Sequence, residues 1–174
     1  MPKITINEID LTTGGSLNAT SNIVYVPGLA EKLPEDYEFG KPRLYETLSD
    51  FQTDFGTKVP IIREKTSSGL SFFDGDKAYD PGFIYATELL RLGMPVLFDC
   101  LLNSPDTTKK ITTGDSTVLS STVVDVLDTR LKDTSLQDKG LYNIKFISTG
   151  GYAHSQINAS INALAEARND CCAI

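Results

Sequence analysis

Short apolar runs alternate with stretches of helical periodicity along the first hundred residues. The run "NIVYVPG", residues 22–28, is rich in β-branched residues and is closed by Pro27 and Gly28, which predicts a buried strand that ends in a turn. The stretch "KPRLYETLSDFQTDFG" then predicts one helix that begins at Pro42 and ends at Gly56. The apolar face of this helix would consist of Leu44, Leu48, Phe51 and Phe55.

The next unit predicts a helix that leads directly into a buried strand. In "DPGFIYATELLRLGMPVLFDCLL", Asp80 can cap the helix, Pro81 can open it and Gly93 can end it. An apolar strand follows at residues 96–102. A helix that precedes a buried strand is typical of α/β proteins.

The last third repeats this alternation. The stretch "STVVDVLDTRLKD" predicts a helix, "YNIKFIST" a strand, and "SQINASINALAEARN" a second helix after the Gly150-Gly151 pair. The terminal "CCAI" looks like the start of another strand, so we expect the chain to be an incomplete part of a longer protein. The fold class is therefore α/β, a layered sheet with flanking helices. The apolar face of the helix in "STVVDVLDTRLKD" consists of Val123, Val124, Leu127 and Leu131. The apolar face of the helix in "SQINASINALAEARN" consists of Ile157, Ile161, Leu164 and Ala165.

The amino-terminal segment has a different character. The stretch "KITINEIDL" alternates apolar and polar residues around Ile4 and Ile6 and runs into the flexible "TTGGS". We predict that residues 1–20 form an extended arm with a tether, and that residues 21–174 form the α/β core. The predicted inter-subunit arm comprises Lys3, Ile4, Thr5, Ile6, Asn7, Glu8, Ile9, Asp10 and Leu11.

The composition of the chain argues against nucleic acids and membranes as partners. The chain has 174 residues, 40% of them hydrophobic and 22% charged, as expected of a globular domain. Its net charge of −7, with acids and bases mixed, argues against a nucleic-acid partner. It shows neither an apolar run long enough for a membrane span nor a signal peptide, so we expect no membrane partner and a cytoplasmic origin.

Candidate catalytic chemistry centres on the Gly150-Gly151 turn and the only histidine, His154. The turn lacks the third glycine of a dinucleotide fingerprint and the Lys-Ser/Thr of a phosphate loop, whereas a sharp strand-to-helix reversal also needs glycine. Asp99 and His154 have the Asp-then-His order of a subtilisin-type triad, but no G-x-S motif follows them. We predict no catalytic residue and no cofactor. The alternative is a small nucleotide-binding or hydrolase-like α/β domain that uses this turn and His154.

The sequence gives only weak signs of a metal site or a disulfide bond. Asp74 and Asp76 resemble half of a calcium loop without its closing Glu, so a solvated turn is the better interpretation. Cys100, Cys171 and Cys172 lack the C-x-x-C spacing of zinc and redox sites. We expect reduced, partly buried thiols and no bound metal.

Four stretches together resemble the sheath protein of contractile phage tails and related injection machines. They are "SNIVYVPGLA", "LSDFQTDFG", "YATELLRLGMPVLFDCL" and "KGLYNIKFISTGGYAHSQINASINALAEARNDCCAI", in the order of that family. The last is the most diagnostic, with its Gly-Gly-Tyr turn and its helix ending in "LAEARND". The resemblance covers most of residues 21–56 and 80–174 and leaves residues 58–77 and 103–117 unmatched.

The resemblance implies a structural subunit without catalysis or cofactor. Such a subunit polymerises as a helical sleeve around a tail tube in the virion and contracts to drive the tube through a target envelope. Its partners would be further copies of itself, the tail tube protein, and the baseplate and tail terminator proteins, with assembly in the host cytoplasm. The family core is subtilisin-like in layout, which would account for the order of Asp99 and His154 without protease activity. Its subunits are linked by terminal arms, and "KITINEIDL" matches the amino-terminal arm.

Overall fold

A computed structural model describes residues 22–64, 73–74, 77–101, 121–152 and 154–174. The predicted arm, residues 3–11, lies outside the described residues, and so does Asp76. The strands are β1 (Ile23–Gly28), β2 (Arg43–Tyr45), β3 (Ile61–Glu64), β4 (Phe73–Asp74), β5 (Lys77–Tyr79), β6 (Val96–Cys100), β7 (Ile144–Ile147) and β8 (Cys172–Ala173). The helices are α1 (Leu48–Phe55), α2 (Pro81–Arg91), α3 (Ser121–Leu131), α4 (Thr134–Gln137) and α5 (Ser155–Arg168).

The predicted α/β class is confirmed. A five-stranded mixed sheet has the order β2-β6-β1-β7-β8, in which β2 alone is antiparallel to its neighbour. A second sheet, β3-β5-β4, is antiparallel and lies between α1 and α2 in sequence, where no strand was predicted. Every residue of β1 and β6 is buried, as expected for central strands covered on both faces.

Helices cover both faces of the main sheet. Parallel crossovers are right-handed in nearly all proteins, which places α2 on one face and α3 and α5 on the other. The contacts agree, because α2 packs on β1 and β6 while α3 packs on α5. On the first face, the ring centroids of Phe51 and Phe55 in α1 lie 5.0 and 4.9 Å from that of Phe98 in β6.

The single helix predicted from Pro42 to Gly56 is wrong in its first half. Residues 43–45 form strand β2, which pairs with β6, and the helix begins only at Leu48. The Thr47 hydroxyl accepts a hydrogen bond from the Asp50 N–H and caps the helix there. Leu44 is consequently 44% exposed on an edge strand instead of buried on a helix face. The predicted stop at Gly56 is confirmed, since its N–H donates to the Gln52 carbonyl.

The predictions for the other helices are confirmed. Asp80 caps α2, Pro81 occupies its first turn, and Gly93 follows the end of the helix. The predicted stripes of α3 and α5 are buried, except that Ala165 is only half-buried. Strand β6 ends at Cys100, two residues before the predicted end. The segment "CCAI" does contain a strand, β8, which pairs in parallel with β7.

Arg168, in the last turn of α5, joins three segments of the chain. Its side chain is fully buried, and its guanidinium donates to the carbonyls of Leu136 and Tyr142 and to the carboxylate of Asp170. A planar group with five donors can satisfy acceptors on several sides at once. Arg168 therefore fixes α4 and the approach to β7 against the end of α5.

We expect Arg168→Lys to lower the free energy of unfolding by about 1–3 kcal/mol, because a single ammonium leaves buried carbonyls without donors. Chemical denaturation measures this loss. The matched control is Arg91→Lys in the last turn of α2, where the arginine is exposed and pairs with Glu88. This control should change stability by less than about 0.5 kcal/mol, and equal losses in both variants would contradict the role given to Arg168.

Candidate functional site: the carboxyl edge of the sheet

The carboxyl ends of the parallel strands form the edge at which open α/β sheets bind ligands. Binding occurs at the point where successive connections leave in opposite directions. In this sheet β6 lies on one side of β1 and β7 on the other, so that point is the gap between the ends of β1 and β7. The Gly150-Gly151 turn follows β7 directly and lies at this gap.

The gap is occupied by the backbone of the protein itself. A Cβ atom added to Gly82 would lie 2.1 Å from the carbonyl oxygen of Pro27, and one added to Gly150 would lie 2.2 Å from the same oxygen. On Gly151, it would lie 2.7 Å from Cβ of Pro81. Three segments, from β1, α2 and the β7–α5 turn, thus meet at the Pro27 carbonyl. We call this contact the Pro27 junction.

Both glycines of the turn have positive φ, 64° for Gly150 and 80° for Gly151. Glycine adopts this conformation at little cost, so the predicted sharp turn between strand and helix is confirmed. In a phosphate-binding loop, glycines let a ligand approach the backbone. Here Gly150 lets the Pro27 carbonyl approach instead.

The buried carboxyl group of Asp80 forms hydrogen bonds to the three segments that meet at the Pro27 junction. Its Oδ2 accepts hydrogen bonds from the N–H groups of Leu29, at 3.0 Å, and Phe83, at 2.6 Å. Its Oδ1 accepts from the hydroxyl of Tyr152, which is also buried. Burial raises the pKa of Asp80 to about 6, although all three hydrogen bonds act in the opposite direction. The amino-terminal end of α2, a potential anion site, is therefore capped internally.

The loop after β1 covers the carboxyl end of β6. The N–H of Cys100 donates to the hydroxyl of Tyr37 at 2.9 Å, and the Tyr37 ring packs edge-on against Phe55. Burial raises the pKa of Tyr37 far above its ordinary value, so the phenol stays neutral. This contact places the β1–β2 loop over the carboxyl end of β6.

Asp99, the acid of the apparent triad, belongs to a separate buried cluster. Its Oδ2 accepts from the Tyr25 hydroxyl at 2.8 Å and from Arg130 Nε at 3.1 Å. Burial raises the pKa of Asp99, while the charge of Arg130 lowers it. The guanidinium lies over the ring of Phe39, 5.5 Å from its centroid, and 2.7 Å from where a Cβ on Gly40 would be. The carboxylate of Asp99 thus joins β1 and β6 to α3.

His154 is an exposed helix cap. Its Nδ1 accepts a hydrogen bond from the N–H of Gln156 at 3.2 Å, which satisfies one of the free donors at the start of α5. Asp99 is buried with Tyr25 and Arg130, so the two residues form no acid–base pair. Ser160, on the same helix, donates to Asp128 of α3. The likeness to a triad is thus one of sequence order.

Metal-binding groups are equally scarce in the parts of the chain that the structure describes. No group of three His, Cys, Asp or Glu side chains is placed to hold a metal ion there. Asp74 lies opposite Lys77 in the β4–β5 pair.

No helix among the described residues is long and apolar enough to cross a membrane.

The three cysteines differ in exposure, although the sequence predicts that all are at least partly buried. Cys100 is fully buried, as predicted. Cys171 is a half-buried free thiol whose pKa is raised by burial. Cys172 is a free thiol but exposed, so the expectation of burial is wrong for this residue. The reason is its place on β8, a strand at the edge of the sheet.

Several residues that build this edge were missed from the sequence. Tyr37 and Gly82 were not singled out, Tyr152 entered only as part of the Gly-Gly-Tyr turn, and Asp80 was predicted only as a helix cap. Their partners lie far away in sequence, 72 positions for Asp80 and Tyr152 and 63 for Tyr37 and Cys100. The "DPG" motif did carry a signal, since glycine in the first turn of a helix is unfavourable unless another backbone approaches it.

Comparisons with protein-family models, curated proteins and solved structures find no match to this chain.

We expect Gly150→Ala to destabilise the protein by about 1–3 kcal/mol more than Gly93→Ala. Both glycines have positive φ, so both variants lose about 1–2 kcal/mol to backbone strain. Only Gly150 faces the Pro27 carbonyl, whereas a Cβ on Gly93 meets no atom within 4 Å. Thermal and urea unfolding of the two variants measure the difference. Equal losses would show that the Pro27 junction is looser than described.

We expect His154→Ala to cost about 0.5–1 kcal/mol through loss of the α5 cap, and His154→Asn to cost less, because asparagine caps helices well. Urea unfolding measures both values. Ester hydrolysis should stay at the same background level in the wild type and in both variants. A specific loss of turnover in both variants would instead identify His154 as a catalytic base.

Proposed function

We propose that this chain is the amino-terminal part of a structural subunit of a contractile tail sheath. The subunit would polymerise around a tail tube in the virion, contract to drive the tube through an envelope, and contact baseplate and terminator proteins at the ends of the sleeve. Residues 1–20 would be the arm and tether, and residues 21–174 part of the core. The observation that carries the proposal is the closed carboxyl edge, since a sheet that uses this edge for its own packing is suited to a structural role.

The distribution of the resembling stretches supports the same proposal. The stretch "SNIVYVPGLA" contains β1, the stretch "YATELLRLGMPVLFDCL" contains β6, and the carboxy-terminal stretch contains β7 and β8. These are the four parallel strands, which lie side by side in the main sheet. The unmatched residues 58–77 include β3 and β4 of the second sheet. The resemblance therefore follows the core and not the additions to it.

The sheet also offers edges to which a strand could be added. Among the described strands, β2 and β8 each have a neighbour on one side only. A strand with a free edge can pair with a segment from another subunit through main-chain hydrogen bonds. The predicted arm has the alternating pattern that such pairing requires.

The nucleotide-binding or hydrolase-like alternative is disfavoured by the same geometry. A ligand at the gap between β1 and β7 would have to displace Pro27 or Gly150. His154, the residue on which such chemistry would depend, is engaged as a cap by its Nδ1.

Negative-stain microscopy of the full-length gene product tests the proposal, and we expect helical tubes. Deletion of residues 1–12 should leave the thermal transition of the core unchanged and abolish or strongly weaken tube formation. A finer test replaces Ile4 and Ile6, on one face of the predicted strand, with asparagine. The matched control replaces Thr5 and Asn7, on the other face, with alanine and should still form tubes.

Two outcomes would contradict the proposal. If the deletion unfolds the monomer, residues 1–12 belong to its own core and the strand is not exchanged. If the full-length product stays monomeric and binds nucleotide at the Gly150-Gly151 turn, the alternative function is correct.

A further inference from the structure

The buried ion pair of Asp99 and Arg130 leaves one acceptor and one donor unused. Oδ2 of Asp99 accepts from the Tyr25 hydroxyl at 2.8 Å and from Arg130 Nε at 3.1 Å. Oδ1 of the same carboxylate is buried and accepts from no group among the described residues. Nη2 of Arg130 is also buried and donates to none of them. Because Nη2 lies beside Nε on one edge of the planar guanidinium, the unused donor and the unused acceptor belong to adjacent parts of one ion pair.

The other contacts of the guanidinium hold it in this orientation. Nη1 donates to Asp133, the residue before α4, at 3.4 Å, and Cζ lies 5.5 Å from the ring centroid of Phe39 in the β1–β2 loop. A Cβ atom added to Gly40 would lie 2.7 Å from Nη1. Rotation into a side-on pair with two parallel hydrogen bonds would move Nη1 relative to Asp133 and Gly40. The existing contacts therefore favour a pair that is joined through Nε alone.

Both unused atoms belong to charged groups in the interior. Asp99 is fully buried, and the side chain of Arg130 is only 6% exposed. Buried charged groups are normally hydrogen-bonded to protein or to ordered water, because their desolvation is costly. The group that would satisfy this pair must donate to Oδ1 and accept from Nη2. A water molecule is the smallest group with both functions, which matters where Phe39 and Gly40 already pack on the guanidinium.

We propose that a buried water molecule bridges Asp99 and Arg130, donating to Oδ1 and accepting from Nη2. The bridge completes the polar network that joins β1 and β6 to α3, and it makes the acid of the apparent triad part of the packed interior. This inference concerns the isolated chain and does not depend on the proposed assembly.

A high-resolution crystal structure provides the direct test. We expect an ordered water molecule within about 2.5–3.2 Å of both Asp99 Oδ1 and Arg130 Nη2. The internal control is Asp80, whose two oxygens already accept from protein donors, so that no ordered water should lie on its carboxyl group. The proposal is overturned by a position without ordered water, by a direct hydrogen bond between Oδ1 and Nη2, or by a protein group or a larger ligand on either atom.

Oxygen-17 relaxation dispersion counts long-lived internal water molecules in solution. Arg130→Met removes the donor, so we expect the variant to hold one such water molecule fewer than the wild type. The matched control is Arg91→Met, which changes an exposed arginine of α2 and should leave the count unchanged. Equal counts in folded Arg130→Met and in the wild type would contradict the bridge. If Arg130→Met does not fold, the crystal structure of the wild type decides.

Discussion

The carbonyl of Pro27 is the point on which the arrangement of the carboxyl edge depends. Two backbone segments, α2 and the β7–α5 turn, can approach it only because Gly82 and Gly150 lack side chains. A methyl group at either position would force α2 or the β7–α5 turn away from β1. The gap between β1 and β7, which is open in ligand-binding sheets of this kind, is thereby filled with main chain.

Buried polar groups tie the connections to the sheet, with Asp80 and Asp99 near the carboxyl edge and Arg168 near the start of β7. Asp80 joins the β1 loop, α2 and the turn, Asp99 joins β1 and β6 to α3 through Arg130, and Arg168 joins α4 to the end of α5. Each group is buried, and most of the hydrogen bonds that it makes are to segments remote in sequence. Such contacts contribute to specificity of packing, because removing one partner leaves a charged or polar group without compensation in the interior. They explain why charged residues at this edge are structural.

Local signals were sufficient for much of this architecture. The cap and stop of α2, the stop of α1 at Gly56, the strands β1, β6 and β7, and the need for glycine at Gly150 all follow from short-range pattern and backbone chemistry. The error at β2 has a physical cause, since Leu44 fits the helical spacing of Leu48 and Phe51, and only pairing with β6 makes residues 43–45 a strand. The junction at Pro27 could not be predicted, because it depends on which segments the sheet topology brings together.

Because the carboxyl edge is filled and His154 caps α5, the proposed contacts with other subunits would involve the outer surfaces and the free sides of β2 and β8. The central claim, that the Gly150-Gly151 turn is an internal packing element, can be tested by titrating isotopically labelled protein with inorganic phosphate and with a nucleotide. Amide resonances of Gly150, Gly151 and Tyr152 should not move at millimolar ligand. Saturable shifts confined to these amides and to the start of α2 would show that the edge binds phosphate and would contradict the account.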